Sequence, residues 1–333
     1  MRGGVMDRTR VLPRVVLGWR AGQNTLGPRT EPLKWVRRTV MLLAGVVGVA
    51  TAAASTAAAS QATIVRSGGA VALPASDGHV HQAPVTVAVN YVALGDSYSS
   101  GVGTGVYDPA SGSCARSPLS YPPLWASEHH PASFGFVACS GATTEDVLAT
   151  QISALQVSTN LVTITIGGND AGFGPVVGTC TAARDDQTCF AAVDAAEAFE
   201  RSVLPGRLAR TYAAIRGAAP NARVVVLGYP RLFDLAPSCA DPLVPNLTRR
   251  KKLNEGADML NAVIEKTAGK QPGFSFTDVR GRFAGHGVCS ADPWINGPSV
   301  PPSVGPYHPN QAGYRLGYLD ALDETTARGT AAA

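Results

Sequence analysis

Five short apolar runs, each closing on a turn and each followed by a stretch with helical spacing, leave this chain few folds to choose from. The runs fall at residues 91–94, 134–137, 161–166, 224–227 and 274–279. The third is β-branched from Val162 to Ile166, as strands favour. Strands alternating with helices predict an α/β fold, with a parallel five-stranded sheet covered on both faces and its carboxyl ends sharing one rim. No internal repeat interrupts the pattern.

The intervening segments carry their own punctuation. Ser117 or Ser120 caps a helix with Pro122 and Pro123 in its first turn, ended near residue 130 by Pro131. Thr143 or Thr144 caps another, which carries Val147, Leu148, Ile152 and Leu155. A loop between Cys180 and Cys189 is expected to precede an Ala-rich helical region over 190–218, broken at Pro205-Gly206. Residues 247–270 place Leu253, Ala257, Leu260 and Ile264 on one face, and residues 311–326 form a closing helix.

The amino terminus belongs to a different class of sequence. Arg37-Arg38 leads into the apolar run 39–50 and then into Ala57-Ala58-Ala59, the pattern of a secretory signal peptide cleaved near Ala59. Its apolar part is shorter than the ~20 residues a membrane span needs. The expected organisation is a signal peptide with an extended basic segment over 1–59, a flexible arm over 60–84, one domain over 85–327 and a disordered tail over 328–333.

Nine Lys and Arg and two Asp and Glu lie in the first 59 residues, so 19 of the 28 basic and 22 of the 24 acidic residues remain beyond them. The domain is therefore slightly acidic, and no basic stripe points to nucleic acid. All six cysteines, Cys114, Cys139, Cys180, Cys189, Cys239 and Cys289, follow the leader without a C-x-x-C spacing. An even count in an exported chain favours three disulfides over a metal or dithiol site, and six cysteines allow 15 pairings.

Three strand ends carry chemistry. The first run stops at Gly95-Asp96-Ser97, a fragment that is ordinary turn chemistry on its own but offers a hydroxyl nucleophile. Gly141 and Asn169 stand past the second and third runs, each a plain turn residue singly. Together with the Ser97 N–H they would supply three donors to an oxyanion. Asp96 and Asp170, although adjacent, are expected to bind backbone N–H groups and shape their loops. Of six histidines, His79 and His81 lie in the arm, His129 and His130 end a helix, and His286 sits in a loop near Cys289. His308 follows a Gly- and Pro-rich loop and precedes Pro309 and a helix, a placement that can hold an imidazole over the rim. Gly-x-Ser-x-Gly, His-Glu-x-x-His and Walker A sequences are absent.

Gly95-Asp96-Ser97, Gly141, Gly167-Gly168-Asn169-Asp170 and His308, in that order, resemble the SGNH hydrolases, also called GDSL lipases and esterases. The run 93–101, the six cysteines and Gly228-Tyr229-Pro230-Arg231 look like the secreted lipases, esterases and phospholipases of actinomycetes. The resemblance covers residues 89–322 and implies a flavodoxin-like three-layer sandwich, the SGNH hydrolase fold, with no metal and no organic cofactor. It makes Ser97 the nucleophile, His308 the base and acid, and the Ser97 N–H, Gly141 and Asn169 the oxyanion hole. It also implies disulfides between cysteines neighbouring in sequence.

One position departs from the pattern. Family members usually carry an Asp three residues before the histidine, and here that residue is Gly305. The resemblance to relatives that use a main-chain carbonyl implies that Gly305 or Pro306 holds the ring; Asp292 or Asp278 arriving from afar is the alternative. The implied activity is hydrolysis of lipid or small esters by a secreted monomer in transient contact with lipid surfaces, with Phe173, Val176, Val177, Leu232, Phe233 and Trp294 candidates for an acyl groove. A carbohydrate acetylesterase of the same fold and a non-catalytic surface protein remain the competing readings.

Overall fold

The three strands richest in apolar residues become the centre of the sheet. In the computed structural model, which describes residues 88–330, β1 (Asn90–Gly95), β3 (Leu161–Thr165) and β4 (Arg223–Leu227) are buried along almost their whole length. β2 (Ser133–Phe136) and β5 (Phe274–Thr277) are shorter, less buried and lie at the edges. All four pairings are parallel and the order is β2-β1-β3-β4-β5. This is the flavodoxin-like order, in which the chain reverses direction between β1 and β3 and opens a crevice there. The expected α/β fold is thus the observed one.

Helices cover both faces. α1 (Ser97–Ser100) is a single turn directly after β1. On one face α2 (Tyr121–His129) packs against the π-helical turn Gly313–Leu319, which runs on into α8 (Asp320–Thr330), and α8 lies against β4 and β5. Trp125 of α2 meets Tyr91 of β1 edge to face at 5.1 Å. α3 (Thr144–Asp146) continues as a π turn over Val147–Gln151, and Thr143 and Asp146 form a reciprocal capping box at its start. α5 (Asp186–Ser202) packs on α7 (Leu247–Ala268), as does α6 (Leu204–Ala218), which also contacts α3.

Four expectations change. The span between Cys180 and Cys189 is not a loop, because α4 (Phe173–Ala182) precedes a short connection and α5 begins at Asp186. The Gly- and Pro-containing start of α4 disguised it, yet Pro175 sits in the first turn, where an N–H has no acceptor anyway. The Ala-rich region breaks at Val203 rather than at Pro205-Gly206, and Pro205 occupies the first turn of α6 for the same reason. The closing helix extends to Thr330, past the boundary expected at residue 327, with Glu324 and Arg328 paired one turn apart. Phe233 and Trp294 leave the expected acyl groove: Phe233 packs on Tyr307 and Trp294 stacks on His286 at 3.7 Å. The expected signal peptide over 1–59, the expected arm over 60–84 and residues 331–333 of the expected tail lie outside the described residues.

The six cysteines form Cys114–Cys139, Cys180–Cys189 and Cys239–Cys289, pairing in sequence order. The first ties the loop after α1 to the end of β2. The second clamps α4 to α5. The third closes a span of 50 residues, worth about 4 kcal/mol in the chain-entropy account.

Candidate active site

The rim is built from the backbone outward. Gly95 ends β1 at φ +125, where a Cβ would stand 2.6 Å from the Thr165 carbonyl, so the turn demands glycine. Gln151 holds that turn with both ends of its amide, accepting from Gly95 N–H at 2.8 Å and donating to Gly95 C=O at 2.9 Å. Asp96 caps α1, accepting from Tyr98 N–H at 2.9 Å, and its other oxygen accepts from Tyr229 O–H at 2.5 Å. The chain therefore delivers Ser97, buried apart from a small exposed fraction, as the first residue of a helix.

Tyr229 is itself braced by α7. Asn261 accepts from Tyr229 N–H at 2.9 Å and donates to Tyr229 C=O at 2.8 Å, and Asn254, two helical turns away, does the same for Phe233 at 3.1 and 2.8 Å. Two side-chain amides thus stand in for a strand partner along the segment after β4. The Tyr229 hydroxyl accepts from Gly168 N–H at 3.0 Å, which couples the ends of β1, β3 and β4 through one phenol.

His308 reaches the rim from the far end of the chain. Its Nε2 lies 2.8 Å from Ser97 Oγ and its Nδ1 lies 2.8 Å from the Pro306 carbonyl. A carbonyl can only accept, so Nδ1 carries the proton and Nε2 is left to accept from the serine hydroxyl. Tyr98 and Phe173 pack against the ring at 4.9 and 6.0 Å. Burial disfavours the imidazolium and pulls the His308 pKa down to about 4, against the opposing pull of the Pro306 carbonyl.

The loop under His308 is anchored at several points. Asn296 and the 307–308 segment exchange backbone hydrogen bonds, Tyr307 N–H to Asn296 and Asn296 N–H to His308, each at 2.9 Å. The Tyr307 carbonyl accepts from Tyr98 O–H at 2.7 Å. Tyr307 itself has φ +59, an uncommon conformation for a non-glycine residue that turns the Pro306 carbonyl back toward the ring of His308.

Of the two backbone groups expected to hold the imidazole, Pro306 does so and Gly305 does not; the Gly305 carbonyl faces Asn296 Nδ2 at 3.5 Å. Neither distant carboxylate reaches the ring. Asp292 serves His286 and Trp294, and Asp278 pairs with Arg280. Asp170 accepts from Thr144 N–H at 2.8 Å and from Arg207 at 3.1 Å, and so shapes its loop as Asp96 does.

The expected oxyanion donors follow three adjacent strands, β1, β2 and β3. Ser97 N–H is among the first N–H groups of a helix, which have no intrahelical acceptor. Gly141 lies exposed in the turn after β2 at φ +80. Asn169 Nδ2 donates one hydrogen to Ala142 C=O at 2.9 Å, which ties the β3 loop to the Gly141 turn and leaves its second N–H unspent. Sequence reasoning missed Gln151, Tyr98 and Tyr229. Tyr98 follows Ser97 directly and Tyr229 ends a strand run, and both were legible as rim residues; Gln151 carries no local signal.

Beside His308 lies a narrow apolar groove. Tyr98 and Phe173 form the wall it shares with the imidazole, and Val176, Val177 and Leu232 continue it. Four of the six residues expected in an acyl groove are therefore found there.

A hydroxyl bonded to a fixed imidazole on the rim of a flavodoxin-like sheet, with an apolar groove alongside, defines the class of α/β ester hydrolases. The chain belongs to the GDSL-like lipase/acylhydrolase family, whose model matches residues 93–316. It is 48% identical over 244 residues to a lipase of Streptomyces rimosus, covering 73% of this chain and 89% of that one. Lipase 1 of Streptomyces coelicolor is 46% identical over 233 residues, with 70% and 85% covered. Among solved structures, the extracellular lipase of Streptomyces rimosus aligns with a TM-score of 0.67 at 48% identity, over 71% of this chain and 99% of that one. Phospholipase A1 of Streptomyces albidoflavus aligns at 0.69 and 48% identity, over 72% and 99%. The protein is a carboxylic ester hydrolase of the lipase type.

Proposed function

We propose that the protein is exported and cleaves carboxylic esters of lipids through an acyl-enzyme on Ser97, with His308 as base. The observation that carries this reading is the unbroken line from the Pro306 carbonyl through His308 to Ser97 Oγ, with 2.8 Å at each link. As Ser97 Oγ attacks the ester carbonyl, its proton passes to Nε2 and the carbonyl oxygen becomes an oxyanion. The Ser97 and Gly141 N–H groups and the second N–H of Asn169 receive that charge. The imidazolium then protonates the departing alcohol. Water, deprotonated by the same nitrogen, attacks the acyl-enzyme, and collapse releases the fatty acid and restores Ser97.

A carbonyl fixes the His308 tautomer as a carboxylate would, but it gives the transient imidazolium less charge stabilisation. The half-buried ring stays neutral, and so available as a base, well below neutral pH. The groove of Phe173, Val176, Val177 and Leu232 takes the acyl chain, placing it beside Ser97 by removing apolar surface from water. The three disulfides and the leader over residues 1–59 favour an extracellular destination. The test is turnover of p-nitrophenyl esters of increasing chain length. The reading expects measurable turnover beyond acetate that is lost in Ser97→Ala; activity confined to acetate would instead support a carbohydrate acetylesterase.

A further inference from the structure

One wall residue of the groove does not belong to an apolar surface. Glu200 of α5 is only 4% exposed, lines the groove, and its Oε2 has no hydrogen-bond partner. Seven buried side-chain polar atoms among the described residues lack a partner, and this is the only one from an acid. The charged neighbours are engaged elsewhere: Glu197 with Lys252 at 3.1 Å and with Arg201 at 3.3 Å. A carboxyl held this way costs the fold free energy, and such costs persist where the group has a task.

Its position indicates the task. Val193, Ala196 and Glu200 follow one another along the groove-facing side of α5 at spacings of three and four, so they run about 10 Å along the wall at 1.5 Å per residue. Facing them on α7 are Gly256 and Ala257, whose lack of bulk lets the two walls approach closely; a Cβ at Gly256 would stand 3.1 Å from Val193 Cγ1. An apolar chain lying in the groove gains burial along the aliphatic part of this wall and loses that gain at Glu200, where methylenes would meet an unpartnered carboxyl instead of apolar surface. Burial raises the Glu200 pKa to about 7, consistent with an environment poor in water.

We infer that Glu200 sets the acyl-length preference of the enzyme, disfavouring chains long enough to lie against its carboxyl. The inference rests on the proposed assignment of the groove to the acyl chain. It makes Glu200 a specificity determinant with no part in bond cleavage.

The test is the ratio of kcat/KM for p-nitrophenyl palmitate to that for p-nitrophenyl butyrate. Glu200→Leu should raise this ratio about tenfold, the scale of methylene-sized changes in apolar pockets. Glu200→Gln, still polar and unpartnered, should keep the wild-type ratio. Ala257→Leu, which narrows the channel from the opposite wall, should lower it. A ratio unmoved by Glu200→Leu while Ala257→Leu lowers it overturns the role of Glu200 but leaves the groove assignment standing. A Gln variant that behaves like Leu also overturns it, since polarity would not be the cause. Wild-type enzyme confined to acetate would remove the lipid reading on which the inference depends.

Discussion

Replacing Gly305 by Asp restores, on paper, the carboxylate that family members usually place three residues before the histidine. The structure predicts that this substitution damages the enzyme. Gly305 has φ +96, where a side chain costs roughly 1 to 2 kcal/mol. Its Cβ would lie 2.3 Å from Val102 Cγ1 and 3.1 Å from Gly103 N, and Val102 has little rotamer freedom with which to withdraw. Overpacking of this kind adds about 1 to 3 kcal/mol. A loss near 3 kcal/mol lowers Tm by roughly 6 to 12 °C in a domain of this size. The same shift moves the loop that presents the Pro306 carbonyl, so kcat for a short p-nitrophenyl ester should fall as well. Thermal melting and steady-state kinetics on Gly305→Asp decide the matter. Wild-type Tm together with unchanged or increased kcat would show that the loop accepts a carboxylate, and the reasoning about this backbone would be wrong.

Further outcomes follow from the same geometry. Asp292→Asn should leave kcat/KM within a few-fold, because its carboxylate serves His286 and Trp294; a loss on the order of 10⁴, the size seen when a triad Asp is neutralised, would place it in the relay. Asn169→Ala should lower kcat by about 10² to 10³ with KM little changed, as removal of one oxyanion donor does, and an effect confined to KM would assign Asn169 to binding. The base must be neutral, so log kcat/KM should fall with unit slope below about pH 4 rather than below 6.5. On stability, folded His308 binds fewer protons than unfolded between pH 6.5 and 4, so its contribution is lost as pH falls through that window. Asp96, raised to about 7 mainly by burial, contributes in the opposite sense as pH rises from 3.8, so the kinetic profile isolates His308 better than melting curves.

Much of the fold was legible because strands buried on both faces must be written as continuous apolar runs. Residues 161–166 and 224–227 announce themselves in this way, and their alternation with helices leaves little but a parallel sheet. α4 escaped because Gly172, Gly174 and Pro175 read as a breaker, whereas in a first turn they cost little. Within the site, Ser97, Gly141 and Asn169 could be placed together because all three follow adjacent strands. The support of His308 was legible only through the family resemblance, which left Gly305 and Pro306 open, since a backbone carbonyl leaves no side-chain signature. The structure decides for Pro306, whose carbonyl lies under the ring with Tyr307 at positive φ. Glu200 was equally silent, an ordinary glutamate in an Ala-rich helix until the groove beside it is known.

The central claim is that Ser97 forms the covalent intermediate. Its most direct test is mass spectrometry of the protein after reaction with a fluorophosphonate ester. A single adduct on the peptide containing Ser97, absent in Ser97→Ala and slowed in His308→Ala, is the predicted result. An adduct that persists in Ser97→Ala, or esterase activity without any adduct at Ser97, would contradict the account.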